Sequence, residues 1–465
     1  MEKSIAEKKV NTNGIIAVAI STSLITTFLG TSLNISIPNI GHEFDCSALL
    51  LGWVITIYTL LTSALSVPFG RLADLKGKRT FLLLGIVIVG ITAALCAFAW
   101  SIWALIILRA IQAVGASMIF CTNVAVAVSA CPPSMRGQVL GLCSSAAYIG
   151  LTIGPVIGGL INEYFSWRIL FLIPVAISVV VLIMALRILP KDSHKSEHDT
   201  ADLQGNVLFV AMIVTLIFGL STLTSNPYGK FFAILGVVLA ILFWKREMAC
   251  HAPVIKVRLF KDDRVYRYSI IIVLLNYAMT FGVGYILAIY LQEVGLLSSQ
   301  MAGLFMACQP VVMAIMSPIA GRLSDKHSPF KLVTIGLVFC LISTAWLLFM
   351  DENFPLWMTA ASLMVQGVGT AFFVAPNNNI IMDRVSRSDY AVTTSLISTF
   401  RTLGNSTAMV VISLMVYAVM GKGALADANP SQLTEIVHGF LIVITVFCIL
   451  SLALSFVRRT KNSTK

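Results

Sequence analysis

Two arginines, Arg109 and Arg401, stand inside long apolar runs of the sequence. An arginine in such a run is costly unless it faces a cavity or a partner, so each marks a place for binding or for tying elements together. Gln112, three residues after Arg109, falls on the same helical face. Asn34, Tyr58, Asn123, Asn276 and Asn405 are further polar groups in apolar surroundings. They could satisfy the arginines or hold a small molecule. The constellations of covalent chemistry do not accompany them. There is no His-Glu-x-x-His pair, no Ser-His-Asp cluster and no GxxxxGK[ST] loop for a nucleotide phosphate. The nine cysteines show no Cys-x-x-Cys and no metal spacing. The chemistry expected is therefore non-covalent recognition of a small-molecule substrate. No enzyme activity, cofactor or metal is implied.

The elements that must position these residues are helices in a lipid bilayer. The chain has 465 residues, 58% of them hydrophobic and 11% charged, with mean hydropathy +0.90. A soluble domain of this size needs a far more polar skin. The apolar runs do not alternate with polar residues, which excludes the strands of a membrane barrel. A run of about 20 apolar residues crosses a ~30 Å hydrocarbon core as a helix. Fourteen such spans are expected, from 14–36 to 437–457, the shortest being 230–245. The fold class is thus an all-α polytopic membrane protein.

The formal net charge is +11, which alone would admit a nucleic-acid partner. Its distribution does not. With the N-terminus inside, all but five of the 32 basic residues fall in inner loops and tails. Arg168, Lys230 and Lys422 fall outside, and Arg109 and Arg401 within spans. This is the bias of a membrane protein with both termini in the cytoplasm. Its partners are then the bilayer and a substrate, and a monomer in the cell membrane is expected. Two charged stretches, 190–204 and 246–267, flank the seventh and eighth spans. Residues 1–189 are expected to form an N-terminal six-helix bundle. Residues 190–267 then hold the linkers and two inserted helices, and residues 268–465 a C-terminal six-helix bundle with a short tail.

The halves repeat a motif. Gly70-Arg71-Leu72-Ala73-Asp74-Leu75-Lys76, followed by Gly77, Lys78 and Arg79, ends the second span. Gly321-Arg322-Leu323-Ser324-Asp325-Lys326 ends the tenth. Both are expected to be hairpin turns, with glycines for tight turning and close helix approach and Asp74 free to cap a helix or pair with a cation. The fifth span carries Gly150, Gly154, Pro155, Gly158 and Gly159. Its small residues at every fourth position make a smooth packing face, and Pro155 permits a kink.

The first loop resembles the signature of the major facilitator superfamily, and Leu105 to Ala116 resembles that family's fourth-helix motif with Ala113 replacing a glycine. The Gly150–Gly159 string is similar to the motif of its antiporter branches. Trp53 to Tyr58, Trp167-Arg168 and Arg401 to Gly404 extend the likeness to the fourteen-helix drug:proton antiporter branch. The resemblance covers residues 14–457. It implies a major facilitator fold of two six-helix bundles with two extra central helices. It also implies export of small amphipathic compounds or drugs by alternating access, with proton antiport.

Two departures bear on mechanism. Leu75 stands where the family usually has a basic residue. The first helix of that branch reads Leu-Asp-x-Thr…Asn…Pro, and aligning Thr31, Asn34 and Pro38 puts Leu29 in the place of the Asp. No carboxylate is then expected in the membrane core. Proton coupling would have to use a residue of the outer mouth: Glu43, Asp45, Glu163 or Glu293. The alternative is a transporter of a neutral or anionic metabolite without proton coupling.

Overall fold

The computed structural model describes residues 12–45, 48–192, 202–222, 228–250, 253–297, 299–350, 355–420 and 429–458. Sixteen α-helices account for nearly all of them. In the N-terminal part these are α1 (Thr12–Thr31), α2 (Ile37–Phe44), α3 (Ala48–Lys76), α4 (Lys78–Ala97), α5 (Ile102–Ala130), α6 (Arg136–Tyr164) and α7 (Ile169–Ile188). A hairpin follows, α8 (Leu203–Ser221) and α9 (Gly229–Ala249), then the short α10 (Arg258–Asp262). The C-terminal part holds α11 (Arg264–Glu293), α12 (Ser299–Lys326), α13 (Pro329–Leu347), α14 (Leu356–Met382), α15 (Tyr390–Met420) and α16 (Pro430–Val457).

Among the described residues, thirteen helices are long and apolar enough to cross a membrane. The remaining long helix, α9, spans 21 residues. It is uncharged from Phe231 to Trp244 and carries Lys230, Lys245, Arg246 and Glu247 only at its ends. The first span is shorter than expected. The α-helix stops at Thr31 and a 3-10 turn, Ser32–Ser36, leads into α2. Pro38 explains the break, because its ring would clash with the carbonyl four residues back in a continuous helix, whereas at the start of α2 it costs no hydrogen bond.

Several helices are longer than the bilayer is thick. At 1.5 Å per residue, the 31 residues of α15 extend about 46 Å against a ~30 Å hydrocarbon core. The side where α1 begins and α16 ends is the termini face, and the length of the helices there changes the reading of the repeated motif. α3 remains helical through Lys76 and α12 through Lys326, so Gly70 and Gly321 do not turn the chain. Gly77 does, at φ 117°. A side chain there would also run into the Asp192 carboxylate, which accepts from the Arg79 and Thr80 backbone N–H groups at 3.0 Å and starts α4.

Large side chains on the outer faces, such as Ile91, Val180, Ile241 and Ile449, remain exposed, as a surface solvated by lipid requires. Inside, one apolar cluster joins α1 to α5 and α7 through Val18, Leu29, Val54, Ile86, Leu105 and Phe171. Another joins α11, α13, α14 and α16 through Met279, Leu287, Leu347, Leu363 and Phe440. A third crosses between the parts, with Ala19, Ala73 and Leu140 against Ala375, Met382 and Ala391. The hairpin is tied down by its polar ends. Asp202 caps α8 at Gly205 and accepts from Arg246 at 2.9 Å. Buried Glu247 accepts from the Ile255 backbone N–H at 3.0 Å. Lys256 reaches Asp389, just before α15, at 2.8 Å.

The glycines of α6 are packing residues. A Cβ on Gly150 or Gly154 would meet the hydroxyls of Thr27 or Thr31 on α1, and one on Gly158 would lie 2.6 Å from the Ser32 carbonyl oxygen. Overpacking of this kind costs about 1–3 kcal/mol. Gly150→Val and Gly158→Val are therefore expected to lower the thermal midpoint of the detergent-solubilised protein while membrane insertion persists. Unchanged midpoints would show that α1 and α6 can part freely.

Candidate functional site

Arg109 is 1% exposed, and its own half answers it. Nε donates to the Val54 carbonyl of α3 at 3.2 Å, Nη1 to Gln112 Oε1 at 2.7 Å and Nη2 to the Leu29 carbonyl of α1 at 3.4 Å. The guanidinium lies 4.1 Å from the centre of the Tyr58 ring, whose hydroxyl donates to the Thr26 carbonyl at 3.2 Å. The place where the related branch has an aspartate is thus beside Arg109, and here Leu29 offers it a backbone oxygen instead of a carboxylate. The cluster joins α1, α3 and α5.

At the termini face the two motif aspartates do the same task in opposite directions. Asp74, on the last turn of α3, accepts from the backbone N–H groups of Ala391 and Val392 at 3.3 and 3.0 Å. These open α15. Asp325, on the last turn of α12, accepts from Gly137 and Gln138 at 2.7 and 2.8 Å, which open α6. Each half therefore places a carboxylate on a helix N-terminus of the other, where free N–H groups and the helix dipole favour negative charge. Lys78 pairs with Asp74 at 2.9 Å and donates to the Arg387 carbonyl at 2.9 Å. Arg136 reaches Asp383 at 3.4 Å. Leu75 is buried and adds no charge. The approach needs glycine: a Cβ on Gly70 would lie 2.9 Å from the Ala391 carbonyl oxygen, and one on Gly137 2.5 Å from that of Gly321.

Between the halves lies a cavity of about 110 Å³. From the N-terminal part it is lined by Ser23 and Thr27 of α1, Phe120 and Asn123 of α5, and Cys143, Ser144 and Tyr148 of α6. From the C-terminal part come Tyr277 of α11, Asn378 and Met382 of α14, and Thr394, Ser398 and Arg401 of α15. The lining residues on each helix recur at three- and four-residue steps, one face per helix. Asn123 Nδ2 donates to Ser23 Oγ at 2.9 Å. The Tyr148 and Tyr277 side chains interact across the seam. Arg401 Nη2 donates to Ser398 Oγ at 3.1 Å, and its guanidinium lies 5.6 Å from the Phe120 ring and 5.8 Å from the Tyr277 ring.

Of the residues expected to form a site, the structure therefore brings Arg401 and Asn123 to the cavity. It withholds Tyr58, Arg109 and Gln112, which bind one another. Asn276 is buried between α11 and α13, its Nδ2 3.9 Å from Cys340 Sγ. Asn34, Pro155, Gly159 and Glu163 lie in helical backbone, outside the residues whose surroundings are described. Phe120, Tyr148, Tyr277 and Asn378 had gone unremarked. The run Asn377-Asn378-Asn379 inside an apolar stretch was the available signal for the last. Successive helical residues point about 100° apart, and the three amides go to three places: Asn377 to the Ser269 carbonyl, Asn378 to the cavity, Asn379 to Ser324 Oγ.

On the opposite face Glu43 accepts from Trp167 Nε1 at 2.7 Å and pairs with Arg168 at 2.5 Å. Partial burial pushes its carboxyl up, but the hydrogen bonds from Arg168 and Trp167 and the Arg168 charge outweigh it and hold it below the ordinary 4.5. Asp45 ends α2 at φ 42°, and Glu293 ends α11, exposed.

Comparison with known proteins agrees with this architecture. The family model "Major Facilitator Superfamily" matches residues 19–245 and 269–465, and the chain belongs to that family. It is 32% identical over 382 residues, 82% of each chain, to the riboflavin transporter RibZ of Clostridioides difficile. It is 26% identical over 398 residues, 85% of each chain, to the methylenomycin A resistance protein of Bacillus subtilis, a likeness to the drug-efflux branch. The crystal structure of the human organic anion transporter MFSD10 shares the fold, with TM-score 0.68, 13% identity and coverage of 96% of this chain and 99% of that one.

Three outcomes are expected. Arg109→Ala removes charge-assisted hydrogen bonds worth on the order of 2 kcal/mol each, so the unfolding midpoint in detergent should fall sharply; an unchanged midpoint would return Arg109 to the substrate path. Asp74→Asn or Asp325→Asn should weaken the closed termini face. In a protein whose only cysteine is Cys143, either change should speed labelling by an impermeant maleimide. Equal labelling rates would deny the aspartates this role. Glu43, with its lowered pKa, keeps its ion pair above about pH 4.5 and loses it only as the pH falls through the lowered value. Between about pH 5 and pH 8 it does not titrate, so Glu43→Gln should leave the pH profile of flux there unchanged. A flattened profile would make Glu43 a proton carrier.

Proposed function

We propose that this chain carries small amphipathic compounds across the cell membrane by alternating access, the halves rocking about the central cavity so that it opens to one face at a time. The compounds are neutral or anionic, and their transport needs no proton bound in the cavity. The observation that carries this reading is the lining itself: both halves contribute, aromatic and amide groups are present, and among the described residues Arg401 is there without a carboxylate. The aspartate clamp supports a state closed at the termini face. The cavity is below the about 300 Å³ of a drug-sized site, so larger cargo requires the halves to part. The relatives named as a riboflavin transporter and a methylenomycin A resistance protein fit a carrier of small organic molecules. The loop cations support cytoplasmic termini, and a monomer suffices, because one chain supplies both walls.

A second reading, proton-coupled drug export, is favoured by the glycine string of α6. It would have to use Glu43, Asp45, Glu163 or Glu293. Flux of a panel of cationic, neutral and anionic dyes into proteoliposomes, with and without a pH gradient, separates the two. Flux of neutral or anionic members without a gradient is expected. Flux that needs the gradient, or is confined to cations, would overturn the first reading in favour of the second.

A further inference from the structure

Among the described residues, the cavity between the halves holds a cation and no anion. Arg401 stands half-buried in its wall, and among the described residues no carboxylate lines the cavity or pairs with it. Arg109, by contrast, spends its donors within its own half. A guanidinium carries five N–H donors in a planar fork that matches an oxyanion, and Ser398 takes one of them. The flat faces beside it come from different halves, Phe120 on α5 and Tyr277 on α11. The Asn378 amide, without a hydrogen-bond partner among the described residues, is available on the same wall.

We infer that the substrate is an aromatic anion, its acid group on Arg401 and its ring against Phe120 and Tyr277, and that membrane potential, not a proton, drives it out. The inference rests on the carrier reading above and narrows its substrate. An acid on Arg401 makes the loaded cavity neutral, whereas the empty cavity carries one positive charge. Over a full cycle one negative charge crosses the membrane, and the potential acts on the return of the empty protein. The other titratable groups at the wall are Cys143, Tyr148 and Tyr277. None of them is a carboxylate or an imidazole, the side chains that would exchange a proton with the cargo. An interior-negative potential of about 100 mV supports about a 50-fold outward gradient of a monovalent anion, whichever way the protein faces.

The test uses the full chain in proteoliposomes, with K⁺ gradients and valinomycin setting the potential. The probes are benzenesulfonate and N-methylpyridinium, single-ring ions whose opposite charges no pH change alters, beside a neutral dye. Benzenesulfonate should move about tenfold faster than N-methylpyridinium or more, the scale of one charge-assisted hydrogen bond. Its net flux should reverse with the sign of the potential and ignore a pH gradient. Exchange of benzenesulfonate on both sides should not respond to the potential, since the protein then returns loaded. Arg401→Gln should remove the preference for the anion and Arg401→Lys should keep part of it. If Arg401→Gln does not fold, the wild-type comparison still decides. Flux of N-methylpyridinium or the dye without benzenesulfonate overturns this inference alone. Benzenesulfonate flux that ignores the potential overturns the driving force. No flux of any probe overturns the carrier reading as well.

Discussion

Hydrocarbon offers no hydrogen bonds, so every polar group that these helices carry between the membrane faces must be answered by another part of the chain. Much of the polar content of the spans obeys this locally. Thr22, Thr26 and Thr92 bond the carbonyls one turn back on their own helices, and Ser343 bonds Ser362 across a helix pair. Arg109 obeys it across three helices at once, which makes it a fastener of the first bundle. Once such groups are discounted, what remains unanswered stands out. Among the described residues the groups left include Gln366 of α14, buried with neither end of its amide bonded, and Arg401, with a single serine and two aromatic rings around it.

The same constraint separates the two kinds of symmetry in the chain. At the termini face the repeated motif yields a reciprocal pair, Asp74 against the start of α15 and Asp325 against the start of α6. Each half is locked by a carboxylate on the other's helix N-terminus, with Lys78 added at Asp74. The two arginines are not repeat mates, since Arg109 lies on the fourth span of its half and Arg401 on the fifth of its own. The first is buried among its neighbours and the second faces a cavity that both halves line.

The all-helical membrane architecture and the position of the hairpin were legible in the sequence because long apolar runs are strong signals; of the fourteen spans expected, thirteen helices are long and apolar enough among the described residues, and α9 is the remaining one. The repeated motif was legible as a motif but not in its geometry. Gly70 reads as a turn residue, yet its neighbours form a helix and its smallness serves the approach of Ala391. Leu29 was visible as a departure, though only the fold shows that Arg109 lies beside it. Arg458, counted with the cations of the inner tail, is buried and bonds Ser269 Oγ and Asn377 Oδ1 at 2.7 Å. Composition cannot tell such a residue from a solvated one, because the difference lies in which helices meet. The cavity was the least legible part for the same reason: its wall is assembled from single faces of six helices, each carrying one to three polar residues.

The α8–α9 hairpin adds a mechanical consequence. α8 touches both halves, stacking Phe218 on Trp53 of α3 while Met212 and Ile213 join the cluster that includes Val392 and Leu396 of α15. The polar ties at its base run to the α15 side through Lys256 and Asp389. Contact with α3 is apolar and therefore non-directional. The hairpin is thus held to the second half by directional bonds and to the first by apolar packing alone. If the proposed rocking takes place, the inserted pair would serve as a bearing at the joint.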